Sequence, residues 1–114
     1  MQDCIFCKIV NKEIPAEIIY EDNQVLAFRD IKPAAPVHLL LIPKKHVETF
    51  FDLDQEDAEV IGQIQLAAGR LARDMGLTEK GFRLVSNCGK DAGQLVMHMH
   101  YHLLAGRPLE WPPG

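Results

Sequence analysis

The period of apolar positions changes several times along the chain, and each change marks an element. The longest regular stretch is DLDQEDAEVIGQIQLAAGRLARDMG, residues 52–76, in which Ile61, Ile64, Ala68, Leu71 and Met75 recur at helical spacing on one face. Asp52 or Asp54 can cap its start, acids fill the first turn where the helix dipole favours them, and Gly76 is a good stop. Elsewhere the segments are of strand length. EIIY (17–20) and QVLAFRD (24–30) flank a tight turn, EDN (21–23), and predict a hairpin. IKPAAP (31–36) is a loop by its prolines, and VHLLLIP (37–43) is a β-branched and leucine run. GFRLVSN (81–87) alternates as a strand, CGKDAGQ (88–94) is a polar loop with glycines, and LVMHMHYHLLAG (95–106) is the last strand. CIFCKIVNKEIP begins as a short helix that Pro15 stops, and RPLEWPPG is a proline-rich tail that cannot continue a sheet interior. Strands outnumber helices and short turns join neighbours. The prediction is an α+β fold: a five-stranded, mainly antiparallel sheet, one long helix across a face and a short N-terminal helix.

Length and composition narrow the class. With 114 residues the chain is expected to form a single domain, 1–114, that buries roughly two-thirds of its unfolded surface. A formal net charge of −4 argues against a broad nucleic-acid footprint, yet leaves a small anionic ligand open, because local donors decide that. No apolar run approaches the roughly 20 residues of a membrane span, and the start, MQDCIFCKIV, lacks a signal-peptide pattern. Three cysteines, an odd number, argue against a complete disulfide framework. Reduced thiols in the cytoplasm are the expectation.

The candidate chemistry concentrates in QLVMHMHYHLL, where His98, His100 and His102 stand at every second position. In a strand they share one face, while Met97, Met99, Tyr101 and Leu103 take the other and can pack under the helix. Three readings compete. The polar face of a half-buried strand can happen to be histidine, although histidine is not a preferred strand filler. Two strand histidines can ligate a metal. One imidazole can act as nucleophile or base while its neighbours orient it and bind anionic charge. Spacing does not separate the last two. The loop before the row, NCGKDAGQL, favours catalysis, since Gly89 and Gly93 can turn backbone N–H groups inward as an anion nest; an ordinary turn is the plainer alternative.

HMHYHLL is similar to the His-x-His-x-His-x-x signature of the histidine triad superfamily. IFCKIVNKEIPAEIIYED, LAFRDIKPAAPVHLLLIPKKH, NCGKDAGQ and the terminal WPPG resemble its Hint branch, the histidine triad nucleotide-binding proteins, over essentially the whole chain. The resemblance implies a homodimer in which two five-stranded sheets join into one. It also implies binding of purine nucleoside monophosphates and hydrolysis of phosphoramidates through a nucleotidyl-histidine intermediate. His100 would be the nucleophile, and His102 would lie at the phosphate. His98 and His38 would belong to the surrounding hydrogen-bond network. Asp30 would take the ribose hydroxyls, with Phe28 and Ile31 along base and sugar. Asn87 and Gly93 would contact phosphate, and Trp111 would lie near the neighbouring subunit's site. Many Hint proteins carry serine where this chain has Leu95, so a hydroxyl contact is lost and only the backbone N–H remains there. No organic cofactor is implied. Two alternatives stand beside this one: a dinucleoside polyphosphate hydrolase of the Fhit type, against which WPPG speaks, and a nucleotide-binding interaction or sensor module with weak chemistry, which Leu95 keeps open.

CIFC places Cys4 and Cys7 at a spacing that suits either a redox motif or half of a tetrahedral zinc site. No strand precedes it, which disfavours a thioredoxin-like motif. Some bacterial-type triad proteins with an N-terminal cysteine pair are similar and hold zinc with two cysteines and two histidines. With His38, His100 and His102 engaged at the nucleotide under the resemblance, the implied ligands here are Cys4, Cys7, His46 and His98. Such a zinc would be four-coordinate and structural, and Cys88 would be a free thiol.

Overall fold

A computed structural model describes residues 3–114. The elements in chain order are α1 (Ile5–Val10), β1 (Ile18–Glu21), β2 (Val25–Arg29), β3 (Val37–Pro43), two 3₁₀ turns (Phe50–Asp52 and Gln55–Asp57), α2 (Ala58–Asp74), β4 (Arg83–Val85) and β5 (Tyr101–Ala105). The strands form one sheet in the order β1-β2-β3-β5-β4, and every neighbouring pair is antiparallel. This is the predicted α+β architecture. Among the described residues no helix is long and apolar enough to cross a membrane.

The parity of the strand positions decides which side each residue serves. Val25, Ala27, Leu39, Leu41, Met99, Tyr101 and Leu103 point to one face and pack with Val60, Ile64, Ala67, Ala68 and Leu71 of α2. Leu26, Phe28, Leu40 and Ile42 point to the other face, where Phe6 and Ile9 of α1 meet them. The central strands β2 and β3 are therefore covered on both sides, which is why they read as continuous apolar runs rather than as alternation. Met97, expected under α2, is instead half exposed and lies outside that cluster.

α2 starts later than the acidic run suggests. Asp54 caps the second 3₁₀ turn by accepting from the Glu56 N–H, and Asp57 reaches back to the Asp54 N–H; Asp52 belongs to the first turn, capped by Thr49. The buried Asp57 then sits at the N-cap of α2 and pairs with Lys45 at 2.8 Å, which ties the helix start to the chain leaving β3. The stop is as predicted. Gly76 has φ +77°, its N–H bonds the Arg73 carbonyl at 3.0 Å, and the Leu77 N–H reaches the Ala72 carbonyl at 2.9 Å, a Schellman closure.

The last strand is shorter than the alternation predicts. β5 starts at Tyr101, so His98 and His100 precede its ladder. The ladder with β3 runs from Val37–Ala105 to Leu41–Tyr101 and then stops. Beyond that point the groups that would continue it are engaged otherwise. Pro43 has no N–H to give, its carbonyl accepts from His98 Nε2, and the Met99 N–H bonds the Val47 carbonyl at 2.7 Å. On the β4 side the Ser86 hydroxyl, at 2.7 Å, takes the His100 carbonyl that a strand neighbour would have used.

Ile64 is fully buried at the centre of the α2 contact. Replacing it with alanine should destabilise the fold by about 2–5 kcal/mol. In urea titration this should appear as a lower midpoint with an unchanged slope.

Candidate functional site

The three histidines of the row face the same side despite the shortened strand. The ring centroids of His100 and His102 are 5.0 Å apart, and Phe6 packs edge-on against both His98 and His100. Each ring's proton is placed by its hydrogen-bond partners. His98 Nε2 lies 2.8 Å from the Pro43 carbonyl, and a carbonyl only accepts, so Nε2 carries the proton and Nδ1 is left with its lone pair. His100 Nδ1 lies 2.8 Å from the His98 carbonyl, so Nδ1 donates and Nε2 is the bare nitrogen. His38 Nδ1 accepts from the Ala34 N–H at 2.9 Å, so His38 Nε2 donates to His102 Nδ1, also at 2.9 Å. The neutral His102 therefore keeps its proton on Nε2. Asp30 Oδ2, 3.4 Å from His38 Nε2, completes this chain.

Burial keeps the row neutral. It pushes His98 and His102 down to about 4 and lowers His100 from its ordinary value. For His102 the neighbouring His100 and His38 add to the effect, while Asp30 opposes it. The row thus presents hydrogen-bond donors and lone pairs at neutral pH, not fixed positive charges.

A cavity of about 560 Å³ opens beside the row. His100, His102, Phe28, Asp30, Ile31, Asn87, Gly93 and Leu95 all line it, and α1 forms a wall of it through Ile5, Phe6 and Ile9. Its volume is that of a small-molecule pocket. Trp111 is 81% exposed and does not line it, while His38 and His98 stand behind it. The glycine loop is built differently from an anion nest. The Gly89 N–H is bonded to Gln94 Oε1 at 2.9 Å, and the Gly93 N–H to the Lys90 carbonyl at 3.0 Å, so the loop itself consumes both donors. The Leu95 N–H has no partner among the described residues, and its side chain is 92% exposed at the cavity rim.

Two positions that sequence reasoning passed over hold this loop and the row. The buried Gln94 gives its amide N–H groups to the Glu48 and Val96 carbonyls while accepting from Gly89. Ser86 fixes the His100 backbone from β4. Neither residue type is rare, and their partners are remote in sequence or in loops, so no local pattern marks them. Phe6 carries more of a signal, an aromatic between two cysteines, but its role depends on α1 folding back over the sheet.

Cys4, Cys7, His46 and His98 converge beneath α1, with their donor atoms all within 4.8 Å of one another. Cys4 Sγ is 3.4 Å and Cys7 Sγ 3.6 Å from His98 Nδ1, and Cys7 Sγ is 3.3 Å from His46 Nδ1. Bonds of about 2.3 Å to sulfur and about 2.05 Å to nitrogen give a tetrahedron S···N edges of about 3.6 Å. The donor set and its spacing therefore fit one metal ion. With the His98 proton on Nε2, its Nδ1 lone pair faces two sulfurs, an arrangement a shared cation satisfies. In the absence of a cation, burial raises the Cys7 thiol to about 11, with Cys4 adding to the shift.

Comparison with known proteins gives a consistent result. The family model described as HIT domain matches residues 11–109. A HIT-like protein of Synechocystis sp. (strain ATCC 27184 / PCC 6803 / Kazusa) is 50% identical over 113 residues, covering 99% of this chain and 98% of its own length. A solved structure described as a HIT family hydrolase from Legionella pneumophila Philadelphia 1 is 52% identical and superposes with a TM-score of 0.96, covering 98% of this chain and 100% of that one. A histidine triad nucleotide-binding protein from Candida albicans is 31% identical with a TM-score of 0.83, covering 96% of this chain and 83% of that one.

Acid should destabilise the fold through the buried histidines. Near 6.5 when unfolded and near 4 when folded, His98 and His102 take up protons first in the unfolded chain. Stability of chelator-treated protein should be full above about pH 6.5, decline as pH falls toward 4, and change little from these groups below that. The loss should be roughly 3 kcal/mol for His98 and less for the more open His102. Urea titrations across that range check it.

Proposed function

The chain belongs to the HIT domain family, and from that premise we propose that it is a nucleoside phosphoramidate hydrolase of the Hint branch, using His100 as nucleophile. One observation carries the reading: His100 lines the cavity, and its Nδ1–H donates to the His98 carbonyl, which leaves Nε2 as the nitrogen with a lone pair. The names of the Legionella and Candida neighbours, a hydrolase and a nucleotide-binding protein, agree with it.

The nucleoside lies along Phe28 and Ile31, and Asp30 accepts the ribose hydroxyls. One Asp30 oxygen already accepts from the Lys32 N–H at 2.8 Å, which fixes the carboxylate while leaving lone pairs for the sugar. The phosphoryl group lies among Asn87, Gly93, the Leu95 N–H and His102. His100 Nε2 attacks phosphorus, the P–N bond breaks, and the amine leaves with a proton. As the His100 ring becomes cationic, its Nδ1–H bond to the His98 carbonyl strengthens without any rearrangement, which is preorganised stabilisation of the transition state. His102 has its Nε2 proton free to bond a phosphoryl oxygen while its Nδ1 is held by the His38 Nε2–H, and the proton taken by the amine comes from solvent water. Water then cleaves the nucleotidyl-His100 bond.

The proposal includes a zinc ion on Cys4, Cys7, His46 and His98. When bound it supplies structural cross-linking rather than catalysis, since four protein donors close the coordination. The proposal also includes a homodimer. β4 is an edge strand onto which a second sheet can add, and Trp111, exposed and outside its own cavity, is assigned to the partner's site.

Replacing His100 with alanine should lower turnover of an adenosine phosphoramidate by roughly 10³-fold or more while adenosine 5′-monophosphate still binds. Full activity in that variant would remove the mechanism. Because His100 is lowered by burial, the acid limb of kcat/KM should begin below pH 6.5, with the plateau extending to the alkaline side. Protein purified without chelator should contain one zinc per chain by elemental analysis, and a metal-free, fully reduced preparation would refute that assignment.

A further inference from the structure

We propose that Cys4 and Cys7 are a redox-sensitive latch. Their oxidation to a disulfide releases α1 from the wall of the cavity and weakens ligand binding there. The inference rests on the reading of that cavity as a nucleotide site.

α1 is six residues long, well below the length at which a helix persists unaided. It is held from two sides. Phe6 and Ile9 pack into the smaller apolar cluster, and Phe6 lies edge-on to Phe28, His98 and His100. On the other side the two sulfurs meet His46 and His98, residues 39 and 94 positions away in sequence for the closest pairs. Cys4 is also the N-cap of α1, where its sulfur accepts the Cys7 N–H at 3.4 Å. Ile5 and Phe6, which lie between the two cysteines, are themselves wall residues of the cavity. The two thiols therefore anchor the segment that closes the site.

Oxidants reach the pair through Cys4. Both side chains are only partly buried, and Cys4 and His46 line a second cavity of about 370 Å³ that shares Ile5, Leu95 and Val96 with the first. The sulfurs lie within 4.8 Å of each other, and their i, i+3 spacing at a helix start lets them meet with a small shift. The oxidant is a hydroperoxide. The two thiols lose two protons and two electrons and form the S–S bond. The peroxide O–O bond breaks, and the electrons and protons go to one alcohol and one water. Were the thiols thiolates holding a metal, the two protons would come from solvent and the ion would lose two of its four donors. Either way, His46 and His98 lose their sulfur partners and α1 keeps only its apolar contacts.

The test uses the full chain carrying Cys88→Ser, so that only the pair can form an intramolecular bridge. Amide hydrogen exchange over residues 5–10 and the Kd for adenosine 5′-monophosphate are measured before and after treatment with hydrogen peroxide, with peptide mass spectrometry reporting the disulfide. The expected result is a Cys4–Cys7 bridge, faster exchange across α1, and a Kd raised about tenfold, as for a wall in place in about one molecule in ten. A dithiol reductant, with zinc added back if zinc was released, should restore both. A bridge that forms without faster α1 exchange overturns the proposal, as does peroxide treatment that forms no bridge. If the reduced protein does not bind the nucleotide, the reading of the cavity fails, and the exchange data still decide whether the latch exists. If reduced protein carries no zinc, only the metal assignment fails.

Discussion

The hydrogen bond from His100 Nδ1 to the His98 carbonyl is the contact on which the site depends. It fixes which nitrogen of His100 is bare, aims that ring, and receives the positive charge the ring acquires in any nucleophilic role. Its acceptor must be immobile. His98 is fully buried, with Nε2 on the Pro43 carbonyl, Nδ1 between two sulfurs, and a ring held edge-on by Phe6. The chain around His98 leaves the regular ladder so that side chains can make these bonds. The irregularity that shortens β5 is thus the device that positions the His100 ring.

The sheet separates stability from chemistry by parity. Odd positions of β2, β3 and the final segment join α2 in the larger core. Even positions face α1, the cavity and the histidines. A rigid core on one face lets the opposite face carry buried imidazoles and a cavity, features that cost stability where they stand. The cost is contained because, among the described residues, no buried side-chain nitrogen or oxygen lacks a partner. Neutral rings satisfied by carbonyls, an amide and one another are far cheaper to bury than charged ones.

Electrostatics then follow from desolvation rather than from charge. A row of three histidines suggests a cationic cradle, yet burial and mutual proximity hold the rings neutral. In the proposed reaction, recognition of the phosphoryl group therefore falls to oriented N–H donors, including His102 Nε2 and the Leu95 backbone. The glycine donors expected to join them are spent closing their own loop through Gln94 and Lys90.

The chain's local pattern by itself determined the main helices and strands, the α+β class, the helix stop at Gly76 and the shared face of His98, His100 and His102, because each depends on residues a few positions apart. The motif resemblance added the family, eight of the residues that line the cavity (though Trp111 is not among them) and the four donors that cluster beneath α1. Tertiary structure decided the rest. The cap at the start of α2 passed from Asp52 and Asp54 to a pair of 3₁₀ turns and a buried Asp57–Lys45 pair, since Lys45 arrives from β3. The strand before Tyr101 gave way to bonds with the Pro43 and Val47 carbonyls and the Ser86 hydroxyl, all distant in sequence. Gln94, Ser86 and Phe6 acquired their roles only when loops and α1 closed over the sheet. Short-range spacing writes itself into the letters, whereas the proton positions that make an imidazole nucleophilic are set by backbone carbonyls, which every residue has and no letter distinguishes.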